Sequence, residues 1–241
     1  MKESRRRLVT FIAAAVVTAG LAIYGALGEN RGANQPDVSA PPIAQPTVSS
    51  PAIDALGQLA IKGRAAKTGY SRTQFGDGWA DAGMCDVRNA ILKRDMQNVQ
   101  TRSPNDCTVL SGVLHDPYTA KTINFTRGEK TSDDVQIDHV VALSDAWQKG
   151  AQQLDPETRK QFANDPLNLL AVDGPANNAK SDADAATWLP PNKDYRCRYV
   201  ARQVAVKQKY QLWVTQAEHD AIQRVLGGCP GQMLPVVTDG T

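Results

Sequence analysis

Apolar residues recur with helical or strand periodicity in separate stretches between residues 53 and 229. Leu56, Leu59 and Ala60 predict a helix over residues 53–61, and comparable spacing predicts helices over 85–99, 145–153, 156–163, 176–188 and 195–214. The capping box that starts at Thr215 opens a last helix, which ends at Gly227. Short apolar runs predict strands over 109–114, 121–125, 135–137 and 167–172. This mixture predicts an α+β fold.

Polar residues interrupt the apolar pattern at three linked places. Asp138 and His139 end the third strand, Asn168 lies in the fourth strand, and Asn177 and Lys180 lie in the helix that follows. The two helices over 145–163 form an insertion between these strands. Without the insertion, the order is strand, strand, helix, and in such a unit a strand end and a helix start can meet at one metal.

The residue types at these places suit hydrolysis of a phosphodiester. Such a reaction needs a base for the attacking water, an electrophile on the phosphate and stabilisation of the leaving oxygen. His139 is the candidate base, because an unperturbed imidazole is largely neutral near pH 7. Asp138 and the amide oxygen of Asn177 are candidate metal ligands. Because all predicted ligands are oxygens, Mg²⁺ or Mn²⁺ is favoured over Zn²⁺.

Asn168 and Lys180 are predicted to assist this site. The amide of Asn168 can bond to His139 or its backbone and fix the orientation of the ring. Lys180 follows Asn177 by three residues and therefore lies on a neighbouring part of the same helix face, where it could meet a phosphate oxygen.

The stretch resembles the HNH (ββα-metal, or His-Me finger) endonucleases. It is most similar to exported actinobacterial-type HNH proteins related to the C-terminal nuclease domain of GmrSD-type restriction enzymes. The resemblance extends over residues 70–229 and rests on Asp138-His139, Asn168-Leu169, Asn177-Asn178-Ala179-Lys180-Ser181-Asp182, residues 114–119 and Trp188-Leu189-Pro190-Pro191.

The resemblance implies a role for each matched residue. His139 takes the position of the general base, Asp138 that of a metal ligand, and Asn168 that of the residue that orients the base. The family often has a second metal-binding histidine at the position of Asn177. The departure from histidine occurs in other members too, including the HNH domain of RNA-guided DNA endonucleases. Asn178 is the alternative ligand; Asn177 is preferred because it places Lys180 three residues later.

The N-terminus has the features of an export signal. Arg5-Arg6-Arg7 precedes an uncharged run from Leu8 to Gly28, which fits a signal peptide and is also long enough for an uncleaved membrane anchor. A Pro-rich segment over 29–52 is predicted to be a disordered linker. The HNH domain is expected over 53–230, followed by a tail over 231–241. The folded part is expected outside the cytoplasmic membrane.

The cysteine content agrees with export. An even number in an exported chain favours two disulfides, and three pairings are possible. Pairing Cys85 with Cys107 and Cys197 with Cys229 is preferred because each bond closes a local loop, whereas four buried free thiols are the alternative. The chain has no CxxC pair, so a zinc knuckle is not expected.

The net charge of +2 comes from the basic N-terminus, so binding of nucleic acid requires a local basic patch. Arg198, Arg202 and Lys209 recur at helical spacing and are candidates for a phosphate-binding track; the alternative is a solvated helix face. Arg88 and Arg94, in the earlier helix, could also reach phosphate, but their interpretation as surface residues is favoured. The four tryptophans are interpreted as core residues.

The sequence therefore predicts an exported, monomeric endonuclease that uses one divalent metal, Mg²⁺ or Mn²⁺, to hydrolyse DNA with low sequence specificity. Two other hypotheses remain open. One is a non-catalytic cell-envelope module that binds nucleic acid or protein, and the other is a ribonuclease.

Overall fold

The computed structural model describes residues 50–104 and 106–236. The predicted signal segment, nearly all of the predicted linker and the end of the predicted tail lie outside the described residues. Ala52, the last residue of the predicted linker, is fully buried and begins the first helix. Within the described ranges, no helix combines the length and hydropathy needed to cross a bilayer.

The described residues form a mixed α+β fold, which confirms the predicted class. The helices are α1 (Ala52–Gln58), α2 (Val87–Asp95), α3 (Leu143–Gln148), α4 (Pro156–Asn164), α5 (Gly174–Lys180), α6 (Arg196–Lys209) and α7 (Gln216–Gly227). The strands are β1 (Asp81–Ala82), β2 (Cys85–Asp86), β3 (Met96–Thr101), β4 (Val109–His115), β5 (Thr122–Thr126), β6 (Val135–His139) and β7 (Leu169–Asp173). Short 3₁₀ turns lie at Arg72–Phe75, Ser132–Asp134, Ala151–Gln153 and Lys193–Tyr195.

The strands pair antiparallel in three small sheets. β1 pairs with β2, β3–β4–β5 form a meander, and β6 pairs with β7. Between β6 and β7, the chain makes α3 and α4. The predicted order of strand, helical insertion, strand and helix is therefore present in β6, β7 and α5.

The β6–β7 pair lies between two hydrophobic clusters. Val135, Ile137 and Ala171 belong to a cluster with α2 and the meander, whereas Leu170 and Val172 belong to the larger cluster under the helices. Since successive residues of a strand point to opposite faces, burial of both faces explains why β7 is apolar at nearly every position. This packing holds the end of β6 in the interior.

The junction between β7 and α5 depends on a glycine. The Asp173 carboxylate caps α5 by accepting from the Ala176 amide, and Pro175 occupies the first turn. A Cβ atom at Gly174 would lie 1.9 Å from the Asp133 carbonyl oxygen, so any side chain there would displace the backbone. α5 can therefore begin directly against the segment that leads into β6.

Five predicted helices end earlier in the structure, namely those expected over 53–61, 85–99, 145–153, 176–188 and 195–214. Two of these differences change the local structure most. The helix expected over 85–99 ends at Asp95, and Met96–Thr101 instead forms strand β3 against β4. The helix expected over 176–188 ends at Lys180, where Ser181 has a φ of 51°. Asp182 and Asp184 therefore lie in a loop, where their carboxylates accept hydrogen bonds from several elements.

The structure contains both disulfides of the preferred pairing. Cys85 is bonded to Cys107, and Cys197 to Cys229. The first bond joins β2, at the start of α2, to the loop before β4. The second joins the first turn of α6 to the residue after the C-terminal end of α7.

A group of charged side chains is enclosed between the N-terminal segment and the helices. Its members are Arg64, Asp145, Lys149, Asp184, Lys207 and Glu218, here called the ionic cluster. The Lys149 ammonium lies within 2.7 Å of a carboxylate oxygen of each of the three acids. Lys207 lies 3.0 Å from Glu218, and Arg64 lies 2.7 Å from Asp184. Three cations and three carboxylates balance each other.

Candidate active site

The end of β6 opens into a cavity of about 600 Å³. Asp138 and His139 line it from β6, Asn177 and Asn178 from α5, and Arg72 and Trp79 from the N-terminal segment. Of the five polar residues to which the sequence assigns a role, Asp138, His139 and Asn177 therefore meet at one concave surface. This arrangement brings a carboxylate, an imidazole and two amides to the same space.

One ring nitrogen of His139 is held by the helical insertion. The His139 side chain is buried, and its Nε2 lies 2.8 Å from the Ala163 carbonyl oxygen. A carbonyl can only accept, so Nε2 carries the proton and donates. In the neutral ring, Nδ1 then has the free lone pair, and no described residue donates to it. The ring also stacks on Trp79, with centroids 5.8 Å apart and planes 8° from parallel.

Burial keeps this imidazole neutral. Loss of hydration lowers the pKa of His139 to about 3. The hydrogen bond to Ala163 raises this pKa, whereas the positive charges of Arg72 and Lys180 lower it further. The structure therefore places an uncharged ring of defined tautomer at the cavity wall.

Asp138 is nearly inaccessible and is bonded at both oxygens. Tyr118 donates its hydroxyl to Oδ2 at 2.5 Å, and the Lys180 ammonium lies 2.9 Å from Oδ1. Burial raises the pKa of Asp138, and the charge of Lys180 and the two hydrogen bonds oppose that effect. The ammonium of Lys180 also donates to the His139 carbonyl, so it holds both residues instead of extending to a phosphate position in the cavity.

Asn168 acts on the backbone beside the histidine. It is completely buried, accepts from the Val141 amide at 2.8 Å and donates to the Val141 and Phe162 carbonyls. Its own carbonyl accepts from the Val140 amide. These bonds hold the backbone that follows His139 against the end of the helical insertion, where Asn168 immediately precedes β7. None of them contacts the imidazole ring of His139.

Asn177 has an oxygen suited to a cation. Its Nδ2 donates to Gln136 Oε1 at 2.8 Å, which fixes the amide orientation, and no described residue donates to its Oδ1. Together with the Asp138 carboxylate, this oxygen forms a donor set that fits a hard divalent cation. The described residues contain no group of three or more His, Cys, Asp or Glu side chains that could hold a metal. A cation here would therefore keep several waters or bind substrate oxygens, as Mg²⁺ commonly does. Asn178, the alternative ligand, is exposed at the cavity rim.

The predicted phosphate track on α6 has protein partners away from this cavity. Arg202 Nε donates to the Leu167 carbonyl at 2.7 Å, and Lys209 lies 2.7 Å from an Asp165 oxygen. Arg198 is exposed and lies over the Tyr195 ring, in a separate depression that it shares with Arg202.

Several residues of the site have no strong signal in the sequence. Tyr118 comes from the turn between β4 and β5, and Trp79 and Arg72 come from a segment without regular periodicity. Gln136 could have been found, because it lies two residues before Asp138 and therefore on the same face of β6. The carbonyl of Ala163 belongs to the backbone and leaves no trace in residue type.

Comparisons with known proteins identify a family and a relative for this chain. Residues 86–225 match the family model for the C-terminal domain of GmrSD restriction endonucleases. An uncharacterized secreted protein of Arthroderma benhamiae (strain ATCC MYA-4681 / CBS 112371) is 37% identical over 183 residues, which cover 75% of this chain and 86% of the relative. No solved structure matches the chain. The chain belongs to the family defined by the C-terminal domain of GmrSD restriction endonucleases.

Proposed function

We propose that this protein is an exported, metal-dependent endonuclease that hydrolyses phosphodiester bonds in DNA with low sequence specificity. The observation that carries the proposal is the anchored imidazole. His139 Nε2 donates to the Ala163 carbonyl, which leaves Nδ1 as a base in the cavity beside Asp138. The family match to a restriction endonuclease domain supports a nuclease.

In the proposed reaction, His139 Nδ1 takes a proton from a water that attacks phosphorus. In the free protein the imidazole is a weak base, because burial lowers its pKa to about 3. The negative charge of a bound phosphodiester would raise that pKa towards the working pH and strengthen the base when substrate is present. Asn168 holds the backbone that follows His139, so the ring keeps its position during proton transfer.

Asp138 and Asn177 are the residues that would hold a divalent cation. Such a cation would supply Lewis-acid polarisation of the phosphate and stabilise the departing oxygen. Lys180 and Tyr118 orient the Asp138 carboxylate and favour its ionised form against burial, which raises its pKa, because both donate to it. In this arrangement Lys180 is a positioning residue.

Three observations support export. The N-terminal residues have a basic start and a long uncharged run. The Arthroderma relative carries the description "secreted". The two disulfides are typical of proteins from oxidising compartments.

The test is cleavage of supercoiled plasmid by the purified protein with Mg²⁺, and again after chelation with EDTA. The His139→Ala variant should cut at least about a hundredfold more slowly, since a general base commonly contributes a factor of this size. His219→Ala is a matched control, because this histidine of α7 does not line the cavity. Equal rates for His139→Ala and the parent protein would contradict the role of the base.

The same assay separates the other hypotheses. Retention of plasmid without metal-dependent cutting would favour a binding module. Faster cleavage of an RNA of the same sequence would favour a ribonuclease.

A further inference from the structure

The charges that line the cavity are unevenly paired. Among the lining side chains, Asp138 is paired with Lys180, and Asp182 with Lys67 at 3.1 Å. Arg72 and Arg88 line the same cavity, and within the described residues neither forms an ion pair. The cavity therefore has an excess of positive charge that these two guanidinium groups carry.

Arg88 is held in place but keeps donors free. It lies in the first turn of α2, next to the Cys85–Cys107 disulfide, and is half-buried. Its Nη2 donates two long hydrogen bonds, to the Ser132 and Val135 carbonyls at 3.4 and 3.3 Å. No described acceptor bonds to its Nε or Nη1, so donors remain on a fixed planar group, which is the geometry that binds phosphate well.

The surroundings of Arg88 favour an anion. Burial lowers the pKa of Arg88, and the charge of Arg127 lowers it further, whereas the charges of Asp86 and Asp133 oppose this effect only in part. A phosphate beside the guanidinium would add the negative charge that favours its cationic form. Arg72 is exposed, makes no hydrogen bond to a described residue, and lies close enough to lower the pKa of His139.

The two arginines lie at opposite ends of β6. The Arg88 guanidinium contacts the carbonyl of Val135, and His139 is four residues further along the strand, or about 13 Å at the usual rise. Successive phosphates of one DNA strand are separated by roughly 3.4 Å along the helix axis, so this distance corresponds to several nucleotides. One phosphate cannot contact both ends.

We infer that Arg72 binds the phosphate that reacts at His139, and that Arg88 binds a second phosphate of the same nucleic-acid strand, several nucleotides away. This inference rests on the proposed function and adds a requirement on the substrate. A polynucleotide occupies the length of β6, whereas a single phosphodiester reaches only the Arg72 end.

The experiment compares two substrates in three variants. The substrates are a duplex oligodeoxynucleotide and bis(4-nitrophenyl) phosphate, which has one phosphodiester. Arg88→Gln should raise KM for the oligonucleotide roughly tenfold or more and leave hydrolysis of the small diester unchanged, because one charge-assisted contact is lost at a distance from the reacting bond. Arg72→Gln should impair both substrates. Arg224→Gln, at an exposed arginine of α7, is the control and should change neither.

A binding measurement tests the phosphate contact without catalysis. In a His139→Ala background with EDTA, fluorescence anisotropy gives the affinity for a labelled single-stranded oligodeoxynucleotide over a range of salt concentrations. Loss of one phosphate contact should reduce the slope of log K against log salt by roughly 0.7. Arg88→Gln should show this change, and Arg88→Lys, which keeps the charge, should not.

The outcomes separate this inference from the proposed function. Weaker binding and a smaller salt slope in Arg88→Gln, without cleavage of any substrate by the parent, would support the phosphate contact and overturn the nuclease. Cleavage by the parent with unchanged binding in Arg88→Gln would overturn the inference alone. An equal loss for both substrates in Arg88→Gln would also overturn it, because the residue would then act on the reacting bond or on the fold.

Discussion

Individual buried hydroxyl groups hold the surroundings of the site together. Tyr118 donates to Asp138, and its ring meets that of Tyr199 edge to face at 5.6 Å. Tyr199 is fully buried, and its hydroxyl oxygen accepts from Gln203 Nε2 at 3.1 Å. Because burial and the nearby carboxylates of Asp138 and Asp145 disfavour a phenolate, the pKa of Tyr199 is well above its usual value of 10.

Tyr199 should therefore make the fold sensitive to alkali. Above pH 10 the unfolded chain releases this proton and the folded chain keeps it, so stability present below pH 10 is lost as pH rises towards the folded pKa. The expected loss is about 1.4 kcal/mol per pH unit. Tyr199→Phe should remove this contribution, as measured by urea unfolding at pH 9, 10, 10.5 and 11.

Tyr70→Phe provides the comparison for that measurement. Tyr70 is only partly buried, so its removal should flatten the pH dependence less. Identical slopes for the parent and Tyr199→Phe above pH 10 would contradict the assignment of a buried neutral hydroxyl.

At the scale of a residue, the local sequence pattern identifies candidate catalytic and metal-binding residues more readily than the residues that position them. Asp138 and His139 stand out because two polar groups follow a short apolar run. Tyr118 meets Asp138, and Arg72 lines the cavity, only through tertiary contacts, and nothing in their neighbouring residues indicates this. From the sequence, Arg88 is favoured as a surface residue of α2. Its hydrogen bond to the Val135 carbonyl of β6 depends on how α2 packs, which the neighbouring residues do not indicate.

At the scale of elements, α6 and α7 are joined covalently. The Cys197–Cys229 bond closes a loop with a sequence separation of 32 residues that contains most of both helices. Such a bond stabilises mainly by restricting the unfolded chain. α6 also contributes Val200 and Val204 to the large hydrophobic cluster, so the bond acts on a helix that the core already holds.

Replacing Cys197 and Cys229 by Ala together should lower the free energy of unfolding by about 2–5 kcal/mol. The check is chemical unfolding of the parent and the double variant in non-reducing buffer. A double variant of Cys85 and Cys107, compared in parallel, shows whether the two loops contribute separately. Equal midpoints for the parent and the Cys197/Cys229 variant would contradict a stabilising role for this bond.

Elements with capping or turn residues agree with their predicted bounds, and the differences arise where pairing overrides local preference. Asp155 and Thr215 cap α4 and α7 as their patterns predict. Met96–Thr101 continues a helical pattern but forms β3, because β4 offers it a partner in the meander. The helix expected beyond Lys180 ends instead, and Asp184 meets Lys149 and Arg64 in the interior. Neither pairing can be seen from neighbouring residues.

At the scale of the molecule, the ionic cluster connects distant parts of the chain. Arg64 comes from the N-terminal segment, Lys149 follows α3, Lys207 lies in α6 and Glu218 in α7. The segment that carries Arg64 continues to Arg72 and Trp79 in the cavity wall. The cluster therefore anchors one wall of the cavity to the helical core.

Lys149→Met should destabilise the fold by about 3–5 kcal/mol, because it leaves buried carboxylates without their central cation. Thermal or urea unfolding measures the change. Lys93→Met removes an exposed lysine of α2 and should stay within about 0.5 kcal/mol of the parent. If Lys149→Met lowered the free energy of unfolding no more than Lys93→Met does, the two remaining cations would be enough to compensate the buried carboxylates.

The anchoring of His139 by the insertion has a consequence for dividing this protein in two. A break in the loop near Gln153 would leave Asp138 and His139 on one fragment, with the Cys85–Cys107 bond. Ala163, Asn168 and Asn177 would lie on the other, with the Cys197–Cys229 bond. Each half would keep its own crosslink but lack the partners that orient its chemistry. The chain is thus suited to a reporter in which activity returns only when two tethered fragments reassemble.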